Sequence, residues 1–261
     1  MRPYRLLSLA LLFIPGVSWC QIVLDNTISP LQAVEDVLLG QGVTVSNITF
    51  NGQPGNILSE QIGGFNGVNC NIGIDEGVIL ATGSILNAEG PNDNGSSSLG
   101  GGNFGQSDPD LVLLSGNPAI NDAAILEFDF VPTGDSLKFD FVFGSDEYLV
   151  FVNSVNDAFG FFISGPGITG PYQNNAANIA LVPGTTQPVT INDVNNVVNS
   201  QYYVDNGDGW SAPYNGDVQY VQYNGFTVSI ILNIAGRTVG IMCDLQGPKI
   251  RVGKFEGGKI E

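Results

Sequence analysis

The sequence predicts an all-β protein, a single antiparallel β-sandwich or jelly-roll-like domain with one short N-terminal helix. Three observations lead there. Helical periodicity is sustained in only one segment. The rest consists of short apolar runs between Gly, Asn and Pro clusters, which is the mark of many short strands joined by turns. In the middle of the chain Leu126, Phe128 and Phe130 alternate with Glu127 and Asp129, and Leu137, Phe139, Phe141 and Phe143 repeat the same two-residue period. That period puts one face of a strand into a core and the other into water.

The elements follow in order. Ser29 to Leu39 reads as the helix: Ser29 suits the cap, Pro30 suits the first turn, and Leu31, Val34, Val37 and Leu38 fall on one face. Gly77–Thr82 reads as a strand. Asn92 to Ser107, rich in Gly, Ser and Asn, reads as a flexible surface loop. Ala124 to Phe143 predicts a central β-hairpin, with Pro132-Thr133-Gly134-Asp135 supplying the turn. Ala158–Ser164, Asn178–Val182 and Phe226–Ile234 read as further strands. Asn199 to Gln219 is a long loop carrying Tyr202, Tyr203, Trp210 and Tyr214, either packed on the body or offered to a ligand.

Charge divides the chain. Gln21 to Gly236 holds 22 acidic residues and one basic residue, Lys138, whereas Arg237 to Glu261 holds five of the eight basic residues. Residues 1–20 form a third piece. Arg2 and Arg5 precede the run Leu6 to Ile14, the anatomy of a secretory signal peptide, with cleavage expected before Gln21. The rival reading is a lipoprotein acylated on Cys20, and Trp19 is bulky for that signal. The run is too short to span a bilayer, which needs about 20 apolar residues, and no other segment could cross one. The organisation is therefore a signal peptide over 1–20, a β-sandwich domain over 21–235 and a distinct segment over 236–261. The mature protein is expected outside the cell or at its surface.

Composition excludes some chemistry. Nucleic-acid binding needs clustered Lys and Arg, which the acidic piece lacks. Histidine is absent, which removes the usual general base and zinc ligand. There is no phosphate-binding Gly-rich loop with Lys, and no Gly-x-Ser-x-Gly with a histidine partner. Cys70 stands alone in the acidic piece. A Cys70–Cys243 bridge is allowed by counting alone, and no disulfide framework can be read.

One constellation carries ligand chemistry. Phe143-Gly144-Ser145-Asp146-Glu147-Tyr148 ends the alternating segment with adjacent carboxylates, and Asn153-Ser154-Val155-Asn156-Asp157 follows. Calcium takes six to eight oxygens from carboxylates, amide side chains and carbonyls, so Asp146, Glu147, Asn156 and Asp157 are the candidate ligands. The bland alternative is that these carboxylates brace loop amides. A two-carboxylate glycosidase site is disfavoured because adjacent residues on a strand point to opposite faces. Asp205-Asn206-Gly207-Asp208-Gly209 has alternating oxygen ligands without the closing Glu of a full calcium loop, and a solvated turn is the favoured reading. Asn47-Ile48-Thr49 and Asn94-Gly95-Ser96 fit the glycosylation sequon.

Several blocks occur together in a specific order: Gly73-Ile74-Asp75-Glu76-Gly77-Val78-Ile79-Leu80-Ala81-Thr82-Gly83, Asn121 to Phe130, Phe143-Gly144-Ser145-Asp146-Glu147-Tyr148, Asn156 to Gly167, Asn178 to Thr185, and Gln222 to Val228. From about Ile22 to Ile231 the chain resembles the choice-of-anchor L domain of exported Bacteroidetes proteins. The resemblance implies a secreted or cell-surface domain and leaves its molecular activity open. The expected function is non-catalytic, in adhesion or in binding a glycan or protein, with calcium as a stabilising ion; a secreted hydrolase is an alternative. The end of the chain departs from that pattern. Gly236 to Phe255, with Asp244-Leu245-Gln246-Gly247-Pro248-Lys249-Ile250-Arg251, resembles one barrel strand of bacterial pyruvate kinase. In that family the positions of Asp244 and Arg251 serve potassium and nucleotide phosphate. A (β/α)₈ active site is built from several strand ends, so this fragment is not expected to transfer phosphate from phosphoenolpyruvate to ADP. The segment reads as a fusion or an assembly artefact, expected to pack poorly or to add only an edge strand.

Overall fold

The computed structural model describes residues 21–39, 43–97, 105–118, 120–132, 137–210, 220–235, 240–244 and 248–252. The expected signal peptide lies outside the described residues. The strands are β1 (Val23–Asp25), β2 (Val43–Phe50), β3 (Gln53–Pro54), β4 (Ile62–Asn66), β5 (Glu76–Leu80), β6 (Ala124–Pro132), β7 (Leu137–Ser145) and β8 (Ala158–Ile163). They continue with β9 (Ala177–Asn178), β10 (Val189–Thr190), β11 (Tyr203–Asp205), β12 (Gly225–Thr227), β13 (Ile230–Ala235), β14 (Gly240–Asp244) and β15 (Pro248–Val252).

They form two sheets. One runs β1-β4-β5-β14-β7-β12-β11, with β13 also on β7; the other runs β10-β8-β15-β6-β2-β3, with β9 also on β8. The all-β class holds. The alternating phenylalanines face each other across the gap: Phe139 packs on Phe161 and Phe141 on Phe159, each pair with ring centroids 4.8 Å apart. Leu126, Phe128 and Phe130 are buried in the same core. Burying a side chain of this size is worth about 1.5–3 kcal/mol, so this shared layer is the main cohesion between the sheets.

The predicted hairpin is corrected by this topology. β6 and β7 share no ladder; they lie in different sheets, and most of the predicted Pro132-Thr133-Gly134-Asp135 turn lies outside the described residues. Period-two alternation states that a strand has one buried face. It does not state whether the next strand lies beside it or opposite it, and both arrangements can bury Leu126, Phe128, Phe130, Phe139, Phe141 and Phe143 in one core.

The N-terminal helix forms where its caps are written. Ser29 Oγ accepts from Gln32 N, and Gln32 Oε1 accepts from Ser29 N at 2.9 Å, a reciprocal capping box. After the short α-helix Pro30–Gln32 the coil widens to π geometry over Ala33–Leu38, with Val34 and Leu38 buried. A second short helix, Pro109–Ser115, did not stand out by periodicity. Asp108 caps it by accepting from Asp110 N and Leu111 N, and Gly116 ends it at φ 68°.

Predicted strand Phe226–Ile234 is split into β12 and β13, which follow one another along the same edge of β7. Beside the break, the Thr227 hydroxyl accepts from Phe143 N at 3.0 Å and satisfies a ladder donor. Predicted strand Asn178–Val182 shortens to β9 and a bridge at Leu181–Pro188.

The C-terminal segment is the second correction. Neither of its strands is an edge. β14 sits between β5 and β7, and β15 between β6 and β8, all in parallel. Every parallel pairing among the described strands involves one of these two. A short run such as Gly240-Ile241-Met242-Cys243 suits a strand flanked on both sides, and charge contrast with the preceding chain does not bear on backbone pairing. No helix among the described residues is long and apolar enough to cross a membrane.

Candidate functional site

The candidate ligands gather where β7 ends. Gly225 pairs with Ser145, and Asp205 pairs with Gly225, so β7, β12 and β11 finish side by side. Two glycines allow this. A Cβ on Gly144 would lie 2.7 Å from the Tyr223 ring, and one on Gly225 would lie 2.6 Å from the Tyr203 ring. Larger residues would force the aromatic rings away from the strands.

Beyond Ser145 the chain enters a buried polar layer. Asn224 Nδ2 donates to the Asp146 carbonyl and, at 3.2 Å, to Gly95 O. Asn92, fully buried, donates to Asn224 Oδ1 at 3.1 Å and accepts from Gln222 Nε2 at 3.2 Å. Asn206 donates to Val221 O at 3.1 Å and Tyr223 O at 2.8 Å. Asn92 was expected to begin a flexible surface loop; instead it pins the stretch before the undescribed residues 98–104. The expectation rested on composition, which does not separate a solvated Asn from one that satisfies buried backbone groups.

Asp146 is 3 % exposed and Asp157 is 4 % exposed. Asp146 Oδ2 accepts from Ser97 N at 3.1 Å, and Asp146 Oδ1 is buried without a hydrogen-bond partner. Asp157 Oδ2 accepts from the Ser145 hydroxyl at 2.9 Å, and the same hydroxyl accepts from Glu147 N at 2.9 Å. Desolvation pushes Asp146 up to about 8, with the charges of Glu147 and Asp157 adding to it and bonds from Ser97 and Asn224 opposing it. Desolvation likewise raises Asp157 to about 7, against the Ser145 bond and with Glu147 adding. Burial also raises Glu147, which is half-exposed at the rim.

Asn156 is placed differently from the other three. Its Nδ2 donates to Ser115 O at 2.9 Å and its Oδ1 accepts from Asn192 N at 3.3 Å, so its side chain ties loops together. Among the described residues no three Asp, Glu, Cys or His side chains are grouped to hold a metal ion. The Asp205–Gly209 segment is built as a turn: Gly207 N donates to Asp205 Oδ1 and Trp210 N to Asp208 Oδ1, both at 2.9 Å. Asp244 ends β14 opposite Gly144, and Arg251 in β15 pairs with Glu127 and Phe162, so the two positions lie in different sheets.

A loop rises from the acidic pair between Glu147 and Asn156. Leu149 and Asn153 have positive φ, 69° and 67°, a conformation uncommon away from Gly and Asn. The loop exposes Leu149, Val150, Phe151 and Val155, and the neighbouring loop exposes Val197 and Val198. Asn153 N donates to Asn192 Oδ1 at 2.6 Å, which fastens one loop to the other.

The family model described as the choice-of-anchor L domain matches residues 22–237. The chain belongs to the choice-of-anchor L family. No curated protein and no solved structure matches it. A choice-of-anchor L domain is an exported or cell-surface domain, and the match spans both sheets except β14 and β15. Sequence reading located Asp146, Glu147 and Asp157 but missed Ser97, Asn92 and Asn224. Their only signal was that Asn and Ser stand in blocks that return to the same strand end.

Proposed function

We propose that this choice-of-anchor L domain is a non-catalytic adhesion module that binds a protein partner through the loops above the acidic pair. The observation that carries this reading is the apolar surface of Leu149, Val150, Phe151, Val155, Val197 and Val198 on two mutually fastened loops. Exposed apolar groups gathered on neighbouring loops are unfavourable in water and characteristic of contact surfaces. Five of these six side chains are aliphatic, which matches a protein surface better than a sugar, since sugars favour aromatic faces and hydrogen bonds. A glycan is the second reading, favoured by the Trp210 side chain, 63 % exposed beside Gly95. The absence of histidine and the burial of both aspartates support a role without turnover.

Cells displaying the full chain should be retained on protein-coated surfaces. Val150→Ser with Phe151→Ser should lower retention at least about tenfold, the effect of losing about 1.4 kcal/mol, without lowering the melting temperature. Equal retention by the double variant would remove the protein reading. A glycan-array signal abolished by Trp210→Ala would replace it with the glycan reading. Phosphoenolpyruvate-dependent ATP formation by the full chain should stay at background.

A further inference from the structure

The reading above makes no use of the buried acids beneath the loops, and the following inference does not depend on it. Asp146 and Asp157 are both taken from water, and among the described residues their charged neighbours are carboxylates. Between Gln21 and Gly236 the only basic residue is Lys138, which is exposed on β7. Buried carboxylates are ordinarily paired or metal-bound, because desolvating an unpaired charge costs several kcal/mol. The hydrogen bonds present account for only part of these groups. Asp146 turns Oδ2 to Ser97 N, Asp157 turns Oδ2 to Ser145 Oγ, and Asp146 Oδ1 is left buried and unpartnered within electrostatic reach of Asp157 and Glu147. An orphaned oxygen of this kind calls for an ion or an ordered water.

We propose that Asp146 and Asp157 bind one calcium ion at the end of β7, with Asp146 Oδ1 as the anchoring oxygen and Glu147 at the rim. The donor set is oxygen alone, which selects a hard cation over zinc or copper. Calcium accepts an irregular shell and completes it with carbonyl oxygens and water. That suits a site where no three acidic side chains are grouped to hold a metal. Asn156 is not a ligand, since both ends of its amide are committed to Ser115 and Asn192. Two full carboxylates give a weak site, with a dissociation constant on the order of 0.1–1 mM, the range of extracellular calcium modules.

The test is thermal melting of the full chain at fixed ionic strength, in chelator and across a calcium titration, with magnesium as the control ion. At tenfold excess over the dissociation constant the melting temperature should rise about 3–6 °C, and magnesium should give less than half of that. Asp146→Asn, nearly isosteric, should abolish the calcium response and, in chelator at pH 9, raise the melting temperature, because there it removes an ionised buried carboxylate with an unpartnered oxygen. Asp193→Asn on the neighbouring loop should leave the response intact. A wild-type melting temperature indifferent to calcium overturns the proposal, as does a full calcium response in Asp146→Asn. Terbium luminescence excited through the nearby Tyr148 and quenched by calcium is a second readout that needs no variant, and a failure of calcium to displace the terbium signal also overturns the proposal.

Discussion

Asp146 and Asp157 hold their protons to an unusually high pH, and this makes them a stability term with a definite sign. In the unfolded chain an aspartate titrates near pH 3.9; in the fold Asp146 and Asp157 sit at about 8 and about 7. Between those limits the folded state binds protons that the unfolded state has lost, so stability falls as pH rises. Below about pH 4 both states are protonated and the term is flat. In chelator, the melting temperature at pH 5.5 should therefore exceed that at pH 8.5. Asp157→Asn should flatten the slope, and an unchanged slope in that variant would mean that other carboxylates produce it. The adjacency of Asp146 and Glu147 was legible in the sequence; their different burial was not, because both lie in the turn after β7, where strand alternation no longer applies. The burial of Asp157 was not legible, because it depends on Ser145 turning its hydroxyl inward twelve residues earlier.

At the scale of elements, the alternating segments announced their buried faces without their partners. The cross-sheet contacts Phe139–Phe161 and Phe141–Phe159 replace the side-by-side pairs of a hairpin. A double-mutant cycle on Phe141→Ala and Phe159→Ala checks this. Each single change should cost about 3–5 kcal/mol, and the pair should couple by about 0.5–1.5 kcal/mol. Coupling indistinguishable from zero would mean that the rings do not meet across the core. The helix at Ser29 was readable because its capping box is local, written within four residues. The helix after Asp108 was not, since Pro109–Ser115 spans only about two turns, too short for a periodic pattern to declare itself. At Asp205–Gly209 the Asp205 and Asp208 carboxylates accept from Gly207 N and Trp210 N, bonds that the sequence permits but does not dictate.

Across the whole molecule, each sheet is joined through a strand from the end of the described chain. β14 links the β1-β4-β5 half to the β7-β12-β11 half, and β15 links β8 to β6. Nothing in composition foretold this, because charge reports on solvent-facing groups and the ladder is made by the backbone. Amide hydrogens of Ile241–Asp244 and Lys249–Val252 should therefore exchange as slowly as those of β7, measured by hydrogen–deuterium exchange. Exchange at the rate of an unstructured peptide would show that these strands are not seated. Met242→Pro, which removes a donor from an interior strand, should lower the melting temperature by several degrees.

The seating of β14 and β15 also sets an order of events during synthesis. Until those residues leave the ribosome, β5, β6, β7 and β8 each have one edge whose amides and carbonyls lack their strand. Neither sheet can close, and the last contacts formed join positions more than a hundred residues apart, as between Ile241 and Val78. Contacts so distant in sequence form slowly. The pairings of β14 and β15 are thus among the most sequence-distant in the molecule, and closure of both sheets waits on the part of the described chain that is made last.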